Sequence, residues 1–288
     1  MEKTDNTNTN TNNNMSATTT TTTATKVLRA FKVVQPTLTI VQQQSSSSSS
    51  SLGNVWKPVG LFPVRRIYCI GRNYRDHVVE MGENPDREEP VFFHKPHNSI
   101  VDTMVRKEVW YPPQTSNLHY EGELVVAIGN NQNHNVPKGK DLSVDQASNY
   151  IYGYALGCDL TRRDLQSVAK KGGKPWCTSK GFDDAAPCGP IVPIPQLLSN
   201  NNATTTTTTL ELAVNNTTRQ TSSLNHMIWS VPEIVARLSR YYTLEAGDLI
   251  MTGTPAGVGP LVRGDTVEIS CTDENNNAVV APCRFTMV

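Results

Sequence analysis

Two carboxylates two residues apart, Glu121 and Glu123, open an apolar run that ends at Ile128. In a strand, alternate side chains share a face, so these two would sit side by side. Ionised carboxylates held that close repel unless one takes a proton or a cation stands between them. An all-oxygen donor set of this kind suits magnesium or manganese, and would also take calcium, rather than zinc. The competing reading is a pair of solvated glutamates at a strand edge. Asp159 supplies a third carboxylate at the end of a second apolar run, Ile151–Cys158, where an unpaired charge is costly. Alternatively, it caps a helix starting at Thr161. His77 and Glu80, three apart, would share a helical face; a carboxylate beside an imidazole fixes its tautomer and makes it a competent general base. An ordinary surface ion pair has the same spacing. Lys180, in a Gly- and Pro-flanked segment, would be either an anion-binding lysine or an exposed loop lysine. The run Thr252–Gly259 (TGTPAGVG) lacks both the Walker ending and the dinucleotide glycine spacing, so it reads as a turn whose backbone amides receive a carboxylate.

Positioning these groups requires a strand-rich scaffold. Arg66–Gly71, Glu123–Ile128, Ile151–Cys158, Asp248–Met251 and Asp265–Ser270 are short apolar runs between Gly and Pro punctuation and predict strands. Leu210–Val214 alternates, and Asn215-Asn216 predicts a hairpin turn back into Arg219–Ser223. Helices are expected at 76–81, at 161–171, and from Ser230 to Tyr241, where S-V-P-E is a capping box.

The chain has 288 residues, with 26 basic and 26 acidic side chains, so nothing in its charge favours nucleic acid. No apolar run approaches the roughly 18 residues of a membrane span. Six cysteines without a CxxC pair read as reduced, buried thiols. Residues 1–54 are rich in Asn, Thr and Ser and predict a disordered tail that contributes no core. The expected domain therefore runs from 55 to 288, with a low-complexity surface loop at 199–209. The polar N-terminus predicts a cytoplasmic protein. Against that, 26–42 is basic, apolar and free of acids, the composition of a mitochondrial address.

In succession, GRNYRDH, VFFHKP, LHYEGELVVAIG, GYALGCDLTRRDLQ, KPWCTSKGFD, SVPEI and GDLIMTGTPAGVGP resemble the fumarylacetoacetate hydrolase family, nearest its single-domain acylpyruvase and fumarylpyruvate hydrolase branch. The resemblance covers about Arg65 to Ile269. It implies an α+β, β-rich fold, a mixed β-sandwich roll, forming a homodimer with magnesium or manganese in a cleft. By the same resemblance the metal ligands are Glu121, Glu123 and Asp159. The catalytic groups are His77 and Glu80, on a lid, and Lys180. Arg72, Gln166 and Thr254 line the substrate site. Two departures stand beside the ligands: Tyr120 where the family often has His, and Gly122 where a bulkier residue is common, which would loosen the strand. The implied reaction is hydrolysis of a carbon–carbon bond in an acylpyruvate, a small 2,4-diketo acid such as fumarylpyruvate or acetylpyruvate. Oxaloacetate decarboxylation or keto–enol isomerisation would use the same site without a hydrolytic water. A catalytically silent metal- or carboxylate-binding protein is the reading from another class.

Overall fold

The structure is a computed structural model that describes residues 35–44, 55–84, 86–129, 139–194 and 208–288. All of these belong to one compact unit, Gln35–Val288. Its centre is a mixed eight-stranded sheet. Along it lie, in order, Val91–Lys95, Arg66–Gly71, Asp248–Met251, Gly122–Ile128, Ile151–Cys158, Ala186–Cys188 and Ile100–Asp102, with Val192–Pro193 also pairing Ile151–Cys158. Asp248–Met251 runs parallel to Arg66–Gly71 and antiparallel to Gly122–Ile128. A five-stranded sheet packs against one face of this centre. It carries the expected hairpin, whose turn residues Asn215 and Asn216 both adopt positive φ.

The central strands are buried on both faces, and their side chains divide with period two. Tyr68, Ile70, Leu124, Val126, Ile128, Leu156 and Ile250 enter the core shared with the five-stranded sheet. Ile67, Cys69, Val125, Ala127, Ala155, Leu249 and Met251 face the opposite way, into a second core. The nearly continuous apolar runs in the sequence follow from this double burial. The helix Val231–Tyr241 adds Ile234, Val235 and Leu238 to the first core and is closed at its start by the Ser230–Glu233 capping box.

The second core needs a cover, and the N-terminal segment supplies it. The assignment of residues 1–54 to a coreless tail is wrong at Thr37–Gln44, which forms an antiparallel pair with Val55–Pro63. Leu38 and Val41 are fully buried; Leu38 joins Phe62, Val64 and Ile191 over the sheet. Backbone bonds tie the strand down, from Val41 N–H to Ile191 O at 2.9 Å and from Ile191 N–H to Thr39 O at 2.8 Å. Asp102 accepts from both the amide and the hydroxyl of Thr39. Composition averaged over 54 residues hid one apolar alternation, Leu38, Ile40. Residues 1–34 and 45–54 lie outside the described residues, as does all of the 199–209 insert except its end, where Thr209 already begins a strand. The helix expected from Thr161 begins at Arg163, because 161–162 pair instead with Leu118–Tyr120. Leu38→Ala should lower the unfolding free energy by about 2–5 kcal/mol, the usual cost of emptying a core site. Urea denaturation measures this; a loss below about 0.5 kcal/mol, the scale of a surface substitution, would return the strand to the tail.

Candidate active site

Glu121 and Glu123 bracket the first residue of the Gly122–Ile128 strand, and Asp159 follows the neighbouring Ile151–Cys158 strand. The pairing of Gly122 with Cys158, continued by Asp159 N–H to Glu121 O at 2.8 Å, brings the three together. Each offers a carboxylate oxygen within 4.8 Å of the other two, and all three are buried, at 5, 2 and 1% exposure. Asp159 therefore does not cap the following helix, whose N-cap is Arg162.

Charges of that density need cations, and the sequence yields three. Lys180 is no exposed loop lysine. It ends the short helix Cys177–Lys180, fully buried, with Nζ 2.8 Å from Glu121 Oε2, 2.6 Å from Asp159 Oδ2 and 2.7 Å from Thr161 Oγ1. Burial works against the ammonium, but Asp159 and Glu121 outweigh it and raise the Lys180 pKa. Lys95 and Arg163, neither singled out by sequence reasoning, are the other two. Lys95 Nζ lies 2.7 Å from Asp159 Oδ1, while two of its hydrogens go to the carbonyls of Leu160 and Lys180. Asp159 Oδ1 is thus paired in charge yet accepts no hydrogen bond. Arg163 donates to Glu121 Oε1 and, at 2.6 Å, to Gln166 Oε1. Behind it, burial and the Arg163 charge hold His119 down at about 4. Neutral His119 can accept from Arg163 Nε at 3.4 Å while its other nitrogen contacts Asn117 Oδ1. A lysine closing an apolar strand (Val91–Lys95) and an arginine three before Gln166 were the available signals.

Burial dominates at Glu121, but Lys180, Arg163 and His77 together overcome it and hold its pKa below the usual range. Glu123 goes the other way: burial first, then Asp159 and Glu121, push it well up, opposed by the Gly253 N–H that donates to its Oε2 at 2.7 Å. The Gly-rich turn thus gives this amide to one of the protein's own carboxylates. Gly257 N–H likewise donates to Glu80 Oε1 at 3.0 Å.

His77 and Glu80 lie on the helix Arg75–Glu80, with Nδ1 of His77 3.0 Å from Glu80 Oε2. That leaves Nε2 of His77 outside the pair. Arg72, His77, Glu121, Glu123, Asp159, Gln166, Lys180 and Thr254 line one cavity of about 40 Å³. Glu80 stands behind His77, holding it to the Gly-rich turn. Thr254 Oγ1 donates to Gly122 O at 2.9 Å and accepts from Gln220 Nε2. Gln220 Oε1 in turn accepts from Gly122 N–H. The expectation that Gly122 loosens the strand is corrected here. A Cβ would stand 2.9 Å from Leu212 Cδ1 and 3.2 Å from its Cβ, so glycine is what lets the five-stranded sheet close over the Gly122–Ile128 strand.

Three buried carboxylates, one with an unbonded oxygen, on a β-rich mixed sandwich roll form a group that could hold a hard cation, beside a histidine–carboxylate pair. The sequence model described as "Fumarylacetoacetate (FAA) hydrolase C-terminal" matches residues 66–281. A fumarylpyruvate hydrolase of Ralstonia sp. is 44% identical over 189 residues, 65% of this chain and 91% of that protein. A mitochondrial oxaloacetate decarboxylase of Dictyostelium discoideum is 37% identical over 72% of this chain and 89% of its own length. The crystal structure of fumarylpyruvate hydrolase from Pseudomonas aeruginosa in complex with Mn2+ and pyruvate matches with a TM-score of 0.71 and 37% identity, over 90% of this chain and 97% of that one. The chain belongs to the fumarylacetoacetate hydrolase family and is a hydrolase acting on carbon–carbon bonds. Among the described residues, no helix is long and apolar enough to cross a membrane.

Lys180→Met should cost the metal-free protein about 3–5 kcal/mol, because Glu121 and Asp159 would keep their burial and lose their ammonium. Urea denaturation in the presence of a chelator reads this directly. A loss under about 1 kcal/mol, the worth of an exposed pair, would mean that solvent and not Lys180 neutralises the cluster.

Proposed function

We propose that the protein hydrolyses acylpyruvates, 2,4-diketo acids, to pyruvate and a carboxylic acid, with Glu121, Glu123 and Asp159 holding a magnesium or manganese ion. The observation that carries this reading is that His77 lines the same small cavity as the three carboxylates, with Nδ1 engaged by Glu80. The donor set fits the ion: its atoms are all carboxylate oxygens, Asp159 Oδ1 has no hydrogen bond, and burial, with Asp159 and Glu121, disfavours the charged form of Glu123. Bound there, the cation would supply Lewis acidity and a template for the oxygens of the keto acid.

The chain's own residues do the rest. Glu80 orients His77, and Gly257 orients Glu80. His77 Nε2 takes a proton from water as the water oxygen attacks the acyl carbonyl carbon. The bond from that carbon to the methylene of pyruvate breaks, and its electron pair passes to the pyruvate fragment as an enolate. The buried Lys180 ammonium stabilises the growing negative charge. The proton held at His77 returns to the methylene carbon, giving pyruvate and the free acid. Arg72 and Gln166 orient the substrate, and Thr254 holds the strand between the two glutamates while facing the same cavity.

Oxaloacetate decarboxylation, the named activity of the Dictyostelium relative, is the second reading. It needs the carboxylate cluster and no activated water, so the His77–Glu80 pair favours hydrolysis.

His77→Ala should reduce acylpyruvate hydrolysis about 10²–10⁴-fold while manganese affinity, measured by calorimetry, stays as in the parent. A hydrolysis rate within about threefold of the parent, well under the smallest general-base effect, would remove His77 from the mechanism. Metal binding should also depend on pH. Because the Glu123 pKa is raised, the metal-free protein carries a proton there that the cation must displace, so affinity should rise with pH and binding should release protons. Calorimetry in two buffers of different protonation enthalpy measures that release. Affinity flat between about pH 5 and 8, without proton release, would mean that Glu123 is already ionised in the metal-free protein.

A further inference from the structure

The cavity that holds the cluster has room for a few water molecules and not for a keto acid. What fills its mouth is a carboxylate of the chain itself. Glu83, in the turn after the helix that carries His77, reaches Arg72 Nε at 2.5 Å with one oxygen and Lys170 Nζ at 3.1 Å with the other. All three side chains line the cavity. Lys170 is further steered by the ring of Trp176, its Nζ 5.6 Å from the centroid.

The two cations are placed by different elements. Arg72 follows the Arg66–Gly71 strand in a left-handed conformation, φ 63°, unusual for a residue other than glycine or asparagine. Lys170 lies on the helix Arg163–Lys171, four residues after Gln166 and seven after Arg163. That spacing puts all three on one helical face. The face runs about 10 Å from the carboxylate cluster, touched by Arg163, past Gln166, to the mouth, held by Lys170.

A substrate whose keto-acid end sits at the cluster would present its far end to Arg72 and Lys170. We propose that Lys170, with Arg72, is the receptor for a distal carboxylate, so that the preferred substrates are dicarboxylic acylpyruvates, and that Glu83 occupies this receptor until such a substrate displaces it. The inference rests on the acylpyruvate reading and adds the acyl class to it. Displacement costs little charge, since one carboxylate replaces another between the same two cations. It also releases the turn that follows the His77 helix, which opens the mouth to the substrate. A monocarboxylic acyl chain offers nothing to replace Glu83 and leaves both cations to it.

The test compares fumarylpyruvate with crotonylpyruvate, which has a methyl group in place of the distal carboxylate. Lys170→Met should lower kcat/KM for fumarylpyruvate about tenfold or more, the scale of one charge-assisted bond, and that for crotonylpyruvate less than about threefold. Lys170→Arg should keep the parent ratio. Equal losses for both substrates, or an unmoved ratio, would overturn the inference. Calorimetry of fumarate and crotonate binding to the metal-loaded protein decides the point without turnover. Fumarate should lose affinity in Lys170→Met and gain it in Glu83→Gln, with crotonate unaffected. Fumarate binding that ignores Lys170 overturns the receptor, and binding unchanged or weakened by Glu83→Gln overturns the displacement. A parent protein that cleaves neither diketo acid would sink the acylpyruvate reading instead, and the binding results would still stand.

Discussion

The structure is organised around three carboxylates that no folded chain would bury without compensation. Glu121, Glu123 and Asp159 converge in a water-poor pocket, where an isolated ion would be several kcal/mol too costly. The chain brings Lys180 between Glu121 and Asp159, Lys95 against the other oxygen of Asp159, and Arg163 against Glu121. Even so, the balance is incomplete at Glu123, where burial and two like charges outweigh the Gly253 amide and the more distant Lys180 charge. That residual cost is what a divalent cation would remove, and it makes the cluster more informative than three acidic residues near one another on a surface.

The scaffold follows from holding those groups still. A sheet buried on both faces cannot slip register without moving a whole apolar set to the wrong core. Glu121, Glu123 and Asp159 hang on the ends of two of its central strands. Close packing above the ligand strand depends on Gly122, whose missing Cβ admits Leu212, and on Gln220, which satisfies Gly122 N–H and steadies Thr254. On the far side the sheet depends on Thr37–Gln44, so a segment surrounded by low-complexity sequence belongs to the foundation of the site.

The helix bearing His77 is attached at its C-terminal end by two carboxylates to separate parts of the wall. Glu80 meets the Gly257 amide, and Glu83 meets Arg72 and Lys170. The first contact orients the imidazole; the second closes the mouth. Both are charge-assisted bonds made by carboxylates within one short stretch of chain.

Much of this was legible in the sequence. Glu-Gly-Glu at the head of an apolar run put two carboxylates on one face, and His77 and Glu80 were joined by their spacing alone, because both relations are local and fixed by backbone periodicity. The capping box at Ser230 and the Asn-Asn hairpin were legible for the same reason. Only the tertiary structure decided which distant charges meet. Lys95 with Asp159, Lys180 with Glu121, Arg163 with Glu121 and Glu83 with Lys170 are 42 to 87 residues apart, and no periodic pattern marks such pairs. It also decided that Thr37–Gln44 is a strand, since eight residues acquire that role only when an apolar sheet face elsewhere in the chain is left to be covered.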